Sequence, residues 1–198
     1  MERIGESALA LLERGGPEIV TMRRVASAAG ITPMAIYYHF PNRDALLRTL
    51  TESEFLKLRG AIEATGWRDL KAPFERLIRM MRGYTVFALE HPRVYDYVFT
   101  TPRKDVRRFP QDFRARLSPG LELMVECVAE AMQCGALKQD DVWEVSLQLW
   151  AQAHGYVALY RVGRFALSEE GFLKLCSRAL RRLLDGMAES GRTREAQS

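Results

Sequence analysis

The sequence predicts an all-α fold: an N-terminal three-helix module ending in a helix-turn-helix, then a larger helical domain. Three observations predict it. No stretch of the 198 residues alternates apolar and polar residues at period two for long enough to need a strand. Good helix formers, Ala, Leu, Arg, Glu and Met, dominate the composition. Breakers at Gly15-Gly16-Pro17, Gly30, Pro41 and Thr65-Gly66 cut the chain into segments of helical length.

The first helix carries Ile4, Ala8, Leu11 and Leu12 on one face and stops at the glycine pair. Thr21 then caps a short helix, Met22 to Ala29, closed by Gly30, which suits a left-handed C-terminal position. Thr32 caps the next helix, with Pro33 at its first position, and that helix runs through Tyr37-Tyr38-His39-Phe40 to Pro41. Asn42 caps a fourth helix that continues to about Ala64. Further helical patterns cover about 71–90, 92–99, 118–134, 140–162 and 168–189, with an irregular stretch from Thr100 to Pro110. Domain boundaries are expected at 1–48 and 49–190. Residues 191–198 lack apolar anchors and are expected to form a disordered tail.

Composition narrows the class. An apolar fraction of 47% excludes a disordered chain. Three cysteines with no CxxC pair support neither a disulfide framework nor a zinc finger. No apolar run reaches the roughly 18 residues a membrane helix needs. Glu2, Arg3, Glu6 and Glu13 interrupt the apolar stripe at the amino terminus, unlike a signal peptide, so a soluble cytoplasmic chain is expected. The net charge of +4 permits nucleic-acid binding without demanding it. Its location is informative: residues 1–50 hold six basic against five acidic groups, whereas residues 101–120 hold six against two. Bulk charge therefore does not mark the helix-turn-helix.

That motif is carried by placement. Val25, Ala26, Ala29, Ile31, Ile36 and Phe40 lock two short helices across a tight Gly30-Ile31-Thr32 turn, and Ala28 and Ala29 keep the crossing close. Such geometry projects the second helix into a DNA major groove; an ordinary helical hairpin is the alternative. Two details favour the groove. Tyr37, Tyr38 and His39 stand in sequence on a short helix, so polar aromatics must leave the core face. Asn42-Arg43 then opens another helix, where free amides and a cation suit a phosphate.

The string Thr21-Met22-Arg23-Arg24-Val25-Ala26, Ala29-Gly30-Ile31-Thr32-Pro33 and Ile36-Tyr37-Tyr38-His39-Phe40-Pro41-Asn42-Arg43-Asp44-Ala45-Leu46-Leu47 closely resembles the TetR (tetracycline repressor) family of bacterial transcriptional regulators. Trp150-Ala151-Gln152-Ala153-His154-Gly155 resembles the Trp…His-Gly signature of one group of C-terminal domains in that family. The resemblance implies that Thr32 caps the recognition helix beside a phosphate, and that Pro33, Met34 and Ala35 lie at its leading end nearest the bases. It places Tyr37 and His39 on phosphates, Tyr38 beside them, Arg43 where the family most often has a phosphate-binding lysine, and Arg23 and Arg24 near the backbone. Two departures stand out. Met34 and Ala35 carry no hydrogen-bonding head, so direct reading there is apolar, as with a thymine methyl, and specificity leans on Tyr38, Thr32, a reaching arginine or DNA shape. Family members also often carry a basic arm before the first helix, which here begins almost at Met1.

In the second half, the last helix has two apolar faces, one with Phe172, Leu175, Ala179 and Leu183 and another with Leu180. Together with Tyr156 and Tyr160 on the preceding helix they exceed what one small bundle covers, so a homodimeric four-helix interface is expected, as the resemblance also implies. Both faces lying in an intramolecular core is the alternative. The resemblance implies an effector cavity as well, for which Phe74, Met81, Tyr84, Phe87, Tyr97, Trp150 and His154 are the candidates. Most of these aromatics are plain core, and His154, four residues after Trp150, reads equally as a satisfied core histidine. With no carboxylate central to the apolar faces, a neutral, apolar or aromatic effector is expected; an anion drawn by Arg79, Arg82 or Arg93 is the other option.

Enzyme motifs are missing. His39, His91 and His154 have no HExxH, DxH or CxH companions, and no Gly-rich phosphate loop or GxSxG elbow occurs, so neither metal nor cofactor is expected. The expected partners are a palindromic double-stranded DNA operator, a second copy of the chain and a small-molecule effector, with no membrane. The expected function is an effector-released repressor; the alternative is an all-helical small-molecule-binding or catalytic dimer without DNA binding.

Overall fold

The computed structural model describes residues 1–103, 106–115 and 119–189. The tail expected at 191–198 lies outside the described residues, as do Lys104 and Arg116 of the basic stretch. Packing divides the chain into two units: Met1–Lys57 with Ala88–Val106, and Leu58–Phe87 with Arg107 onward.

In the first unit, the i, i+4, i+8 spacing of Ile4, Ala8 and Leu12 buries one stripe of α1 (Glu2–Gly15). A 3₁₀ turn at Pro17–Ile19 leads to α2 (Met22–Ala28), where the Thr21 hydroxyl accepts the Arg24 amide at 3.3 Å. The reversal that follows needs Gly30, whose φ of 64° is left-handed. It is tightened by the Ile31 amide donating to the Ala26 carbonyl at 3.0 Å. α3 (Pro33–His39) is capped by Thr32, which accepts the Ala35 amide at 3.2 Å, and α4 (Arg43–Glu63) by Asn42, which accepts the Ala45 amide at 2.8 Å. Each such cap is worth about 1 kcal/mol.

The core of this module is not confined to residues 1–48 but also draws on a later segment. Val94, Tyr97 and Val98, from α6 (Pro92–Tyr95) and the π-helical turn Asp96–Thr100 after it, pack in one cluster with Leu12, Val25, Ile36, Phe40 and Leu47. Three short helices leave an apolar flank that needs cover, which explains the recruitment. Arg103 then lies over the Tyr97 ring, 4.8 Å from its centroid, and donates from Nη1 to the Thr51 hydroxyl at 2.6 Å.

The second unit contains most of α5 (Pro73–Glu90), the short α7 (Gln111–Arg114), α8 (Pro119–Gln133), α9 (Val142–Arg161) and α10 (Glu169–Met187). Gly83 of α5 lies against the end of α4: a Cβ there would meet the Thr65 methyl at 2.8 Å and the Ile62 backbone at 3.3 Å. Only glycine permits that approach. Asp141 caps α9, accepting the Trp143 and Glu144 amides at 2.9 and 3.1 Å, and Ser168 caps α10. The Glu144 amide bond, with those from Trp143 and Arg114, holds the Asp141 carboxyl below the usual carboxylate range. Apart from an isolated bridge between Leu137 and Ala188, no strand occurs among the described residues.

Candidate functional site

The first unit presents α3 to solvent along one edge. Ile36 and Phe40 face the core, so the helical period turns Met34, Tyr37 and Tyr38 outward, with exposures of 80, 50 and 88%. Thr32, Pro33 and His39 are also exposed, and Ala35 is half-buried. The His39 ring meets Tyr38 edge-on, 5.4 Å between centroids at 83°. Arg23 and Arg24 lie exposed in the first turn of α2. Nine of the ten residues expected at DNA thus lie on α2, on α3 or at the cap between them, eight of them exposed.

Arg43 departs from that set. Its guanidinium is half-buried and turned back on the α1–α2 connection, with Nε donating to the Val20 carbonyl at 2.7 Å and Nη2 to the Pro17 carbonyl. A planar fork suits two carbonyls as well as it suits a phosphate. No sequence signal reveals this, since the partners lie more than twenty residues upstream.

The second unit brings together three of the expected effector residues. The Tyr84 hydroxyl and His154 Nδ1 are 2.9 Å apart, and the Trp150 and His154 rings are 5.2 Å apart. Burial holds the His154 imidazole below its ordinary range, so it is neutral near pH 7. Phe87 is buried and Phe74 half-buried in the same unit. Tyr97 is elsewhere: it belongs to the first unit's core, because its turn of helix packs there. A shallow recess opens between α5, α9 and α10, lined by Met81, Arg82, Thr85, Gln152, Tyr156 and Ser177 among others. Of these, Thr85, Gln152 and Ser177 escaped the sequence reading. The signal was present: Ile78, Met81, Arg82 and Thr85 follow i, i+3, i+4, i+7.

The expected dimer residues are split. Phe172, Ala179 and Leu180 are buried within the single chain, while Tyr156, Tyr160, Leu175 and Leu183 are half-buried. Tyr160 stacks on Phe172 with centroids 4.1 Å apart, which accounts for part of that cover. Along α9, Gln148, Ala151, Leu159 and Val162 are exposed instead. Among the described residues no group of His, Cys, Asp and Glu could hold a metal ion, and no helix is long and apolar enough to cross a membrane.

A capped two-turn helix offered at the edge of a small helical module, followed by a larger helical unit, defines a helix-turn-helix DNA-binding protein of two parts. Residues 4–50 match the family described as bacterial regulatory proteins, tetR family, and residues 77–192 match the tetracyclin repressor-like C-terminal domain. The chain belongs to the TetR family of transcriptional regulators. No curated protein matches it in sequence. Among solved structures, a protein of unknown function from Rhodococcus sp. RHA1 is 25% identical, with a TM-score of 0.79 and 94% of each chain covered. The transcriptional regulator FadR from Bacillus subtilis, in complex with stearoyl-CoA, shares the fold at 16% identity and a TM-score of 0.73, over 92% of this chain and 96% of that one. The fatty acid degradation regulator FadR from Bacillus halodurans does so at 16% identity and 0.72, over 93% and 97%.

Proposed function

We propose that this chain is a homodimeric repressor that binds a palindromic operator through α3 and releases it when a small apolar or aromatic effector binds the helical domain. The observation that carries the DNA reading is the outward edge of α3, where Met34 and Tyr38 stand almost wholly in solvent beside Tyr37 and His39. Large apolar side chains left this exposed on a well-capped helix call for a partner surface. Tyr37, His39, Arg23 and Arg24 supply hydroxyl, imidazole and guanidinium groups for the phosphates around it.

The effector reading rests on Tyr84, Trp150 and His154, which meet between α5 and α9, with Met81 and Phe87 one turn either side of Tyr84 on α5 and Phe74 nearer that helix's start. We assign the C-terminal domain to the Trp…His-Gly group on Trp150, His154 and Gly155. The stearoyl-CoA held by the Bacillus subtilis protein is in keeping with an apolar effector for this fold. The dimer reading takes the exposed strip of α9, Gln148, Ala151, Leu159 and Val162, as the surface a second copy covers. Two half-sites read at once demand a fixed spacing of the two recognition helices. An effector that favours another spacing lowers operator affinity by its preference between the two states.

The test is fluorescence anisotropy with duplex DNA from upstream of the protein's own gene across a salt series. The expected result is binding whose logarithm falls linearly with the logarithm of salt, as phosphate contacts release counterions. Absent or salt-insensitive binding overturns the reading.

A further inference from the structure

Tyr38 and Met34 are the two most exposed large apolar side chains among the described residues, and they lie four positions apart on α3, hence on the same face. The groups around them are occupied or apolar. The Thr32 hydroxyl accepts the Ala35 amide at 3.2 Å, Pro33 has no amide hydrogen, and Ala35 is half-buried with only a methyl. His39 meets the Tyr38 ring edge-on, with 5.4 Å between centroids. The leading edge of α3 thus offers a thioether and a phenol, with no amide, guanidinium or carboxylate among Pro33, Met34, Ala35 and Tyr38.

That inventory restricts what can be read. Discriminating guanine takes a guanidinium or ammonium on O6 and N7, adenine takes a carboxamide on N6 and N7, and cytosine an acceptor for its N4 amine. Pro33, Met34 and Ala35 have none of these, and the rest of α3 exposes only the hydroxyls of Tyr37 and Tyr38 and the His39 imidazole. The one apolar feature a base pair shows in the major groove is the thymine C5 methyl. Methionine is suited to it, being polarisable and able to adjust through three rotatable bonds.

We propose that α3 reads its half-site chiefly through thymine methyl groups, Met34 supplying the main contact and Tyr38 flanking it, so that the operator carries thymine at the one or two positions beneath them. This rests on the DNA-binding reading above and adds the chemical group recognised.

The experiment selects a binding sequence for the full-length protein from randomised duplex DNA, then replaces each thymine singly by uracil, which removes the methyl and nothing else. Uracil at one or two positions is expected to weaken binding about three- to fivefold, the effect of losing one buried methyl. Met34→Ala, at a site too exposed to disturb folding, is expected to erase that penalty at one position while keeping salt-dependent binding to unselected DNA. Tyr38→Phe is expected to leave the same penalty in place. Uracil tolerated within twofold at every position overturns the proposal, as does an undiminished penalty in Met34→Ala. A selected sequence that loses its preference only when Arg23 or Arg24 is replaced also overturns it. Absence of any salt-dependent binding overturns the DNA-binding reading itself, a result distinct from all of these.

Discussion

Arg43 Nε donates to the carbonyl oxygen of Val20 at 2.7 Å, tying the first turn of α4 to the residue that precedes the cap of α2. A second bond, from Nη2 to the Pro17 carbonyl, completes a fork over the 3₁₀ turn. The side chain that the family resemblance assigns to a phosphate therefore holds the helix-turn-helix in register with its own scaffold. Arg43→Lys keeps the charge and loses the fork. It is expected to lower stability by about 1.5–3 kcal/mol, the range for hydrogen bonds to charged groups, measured by urea unfolding. In Arg43→Gln, which removes the charge as well as the fork, the salt slope of DNA binding should stay as it is, whereas Arg23→Ala should flatten it. Unchanged stability in Arg43→Lys together with a slope shallower by about one in Arg43→Gln would return Arg43 to the phosphate.

The contact between buried Tyr84 and half-buried His154 makes a prediction about pH. His154 is held below its ordinary range by burial, so the folded state refuses a proton that the unfolded state accepts. Above the ordinary imidazole value, about 6.5, the residue adds no pH dependence. As pH falls below it, the unfolded state gains protons and stability declines. Urea unfolding at pH 7.5 and 5.5 should show a larger loss for the wild type than for His154→Gln. Tyr84→Phe should cost about 1 kcal/mol at pH 7.5, through the lost hydroxyl partner.

The three cysteines should separate cleanly by reactivity. Burial pushes the Cys127 thiol up to about 12 and the Cys176 thiol up to about 11, while Cys134 is exposed beyond the end of α8. Since the thiolate is the nucleophile, a disulfide reagent at pH 8 should titrate one thiol per chain quickly. Mass spectrometry should find the label on Cys134, with the other two labelled only after unfolding. Fast labelling of Cys176 would mean that the α5–α9–α10 recess opens to reagent.

Gly155 gives a test of the second copy. A Cβ at this position meets nothing within 4 Å, so a larger side chain fits the single chain without displacement. Replacing glycine inside a helix also improves its helical propensity by up to about 1 kcal/mol. Gly155→Arg should thus fold as well as the wild type or better, yet block close approach along the strip that includes Leu159 and Val162. Sedimentation should show monomer; an unchanged dimer would move the interface off this face of α9.

What the sequence made legible is what local chemistry decides. Thr21, Thr32, Asn42 and Ser168 cap the helices they precede, and Gly30 takes its left-handed turn, because each effect acts within a few residues. The outward placement of Tyr37 and Tyr38 followed from Ile36 and Phe40 needing the core. Long-range choices were not legible. Whether Tyr97 lines an effector site or completes the first core depends on which flank lacks cover, and whether Arg43 finds a phosphate or a carbonyl depends on a loop 23 residues away. Nor does periodicity tell an apolar face buried in the same chain, as Phe172 and Leu180 are, from one awaiting a second.

The two turns of α3 are too short to be helical alone, since a helix of seven residues falls well under the roughly 12–15 that water tolerates. Its shape is lent by Ile36 and Phe40 wedged among Leu12, Val25 and Leu47. Fidelity toward DNA is consequently a gauge of how tightly apolar side chains pack where no nucleotide reaches. A slackened core would blur the choice of operator while the chain as a whole still passed for folded.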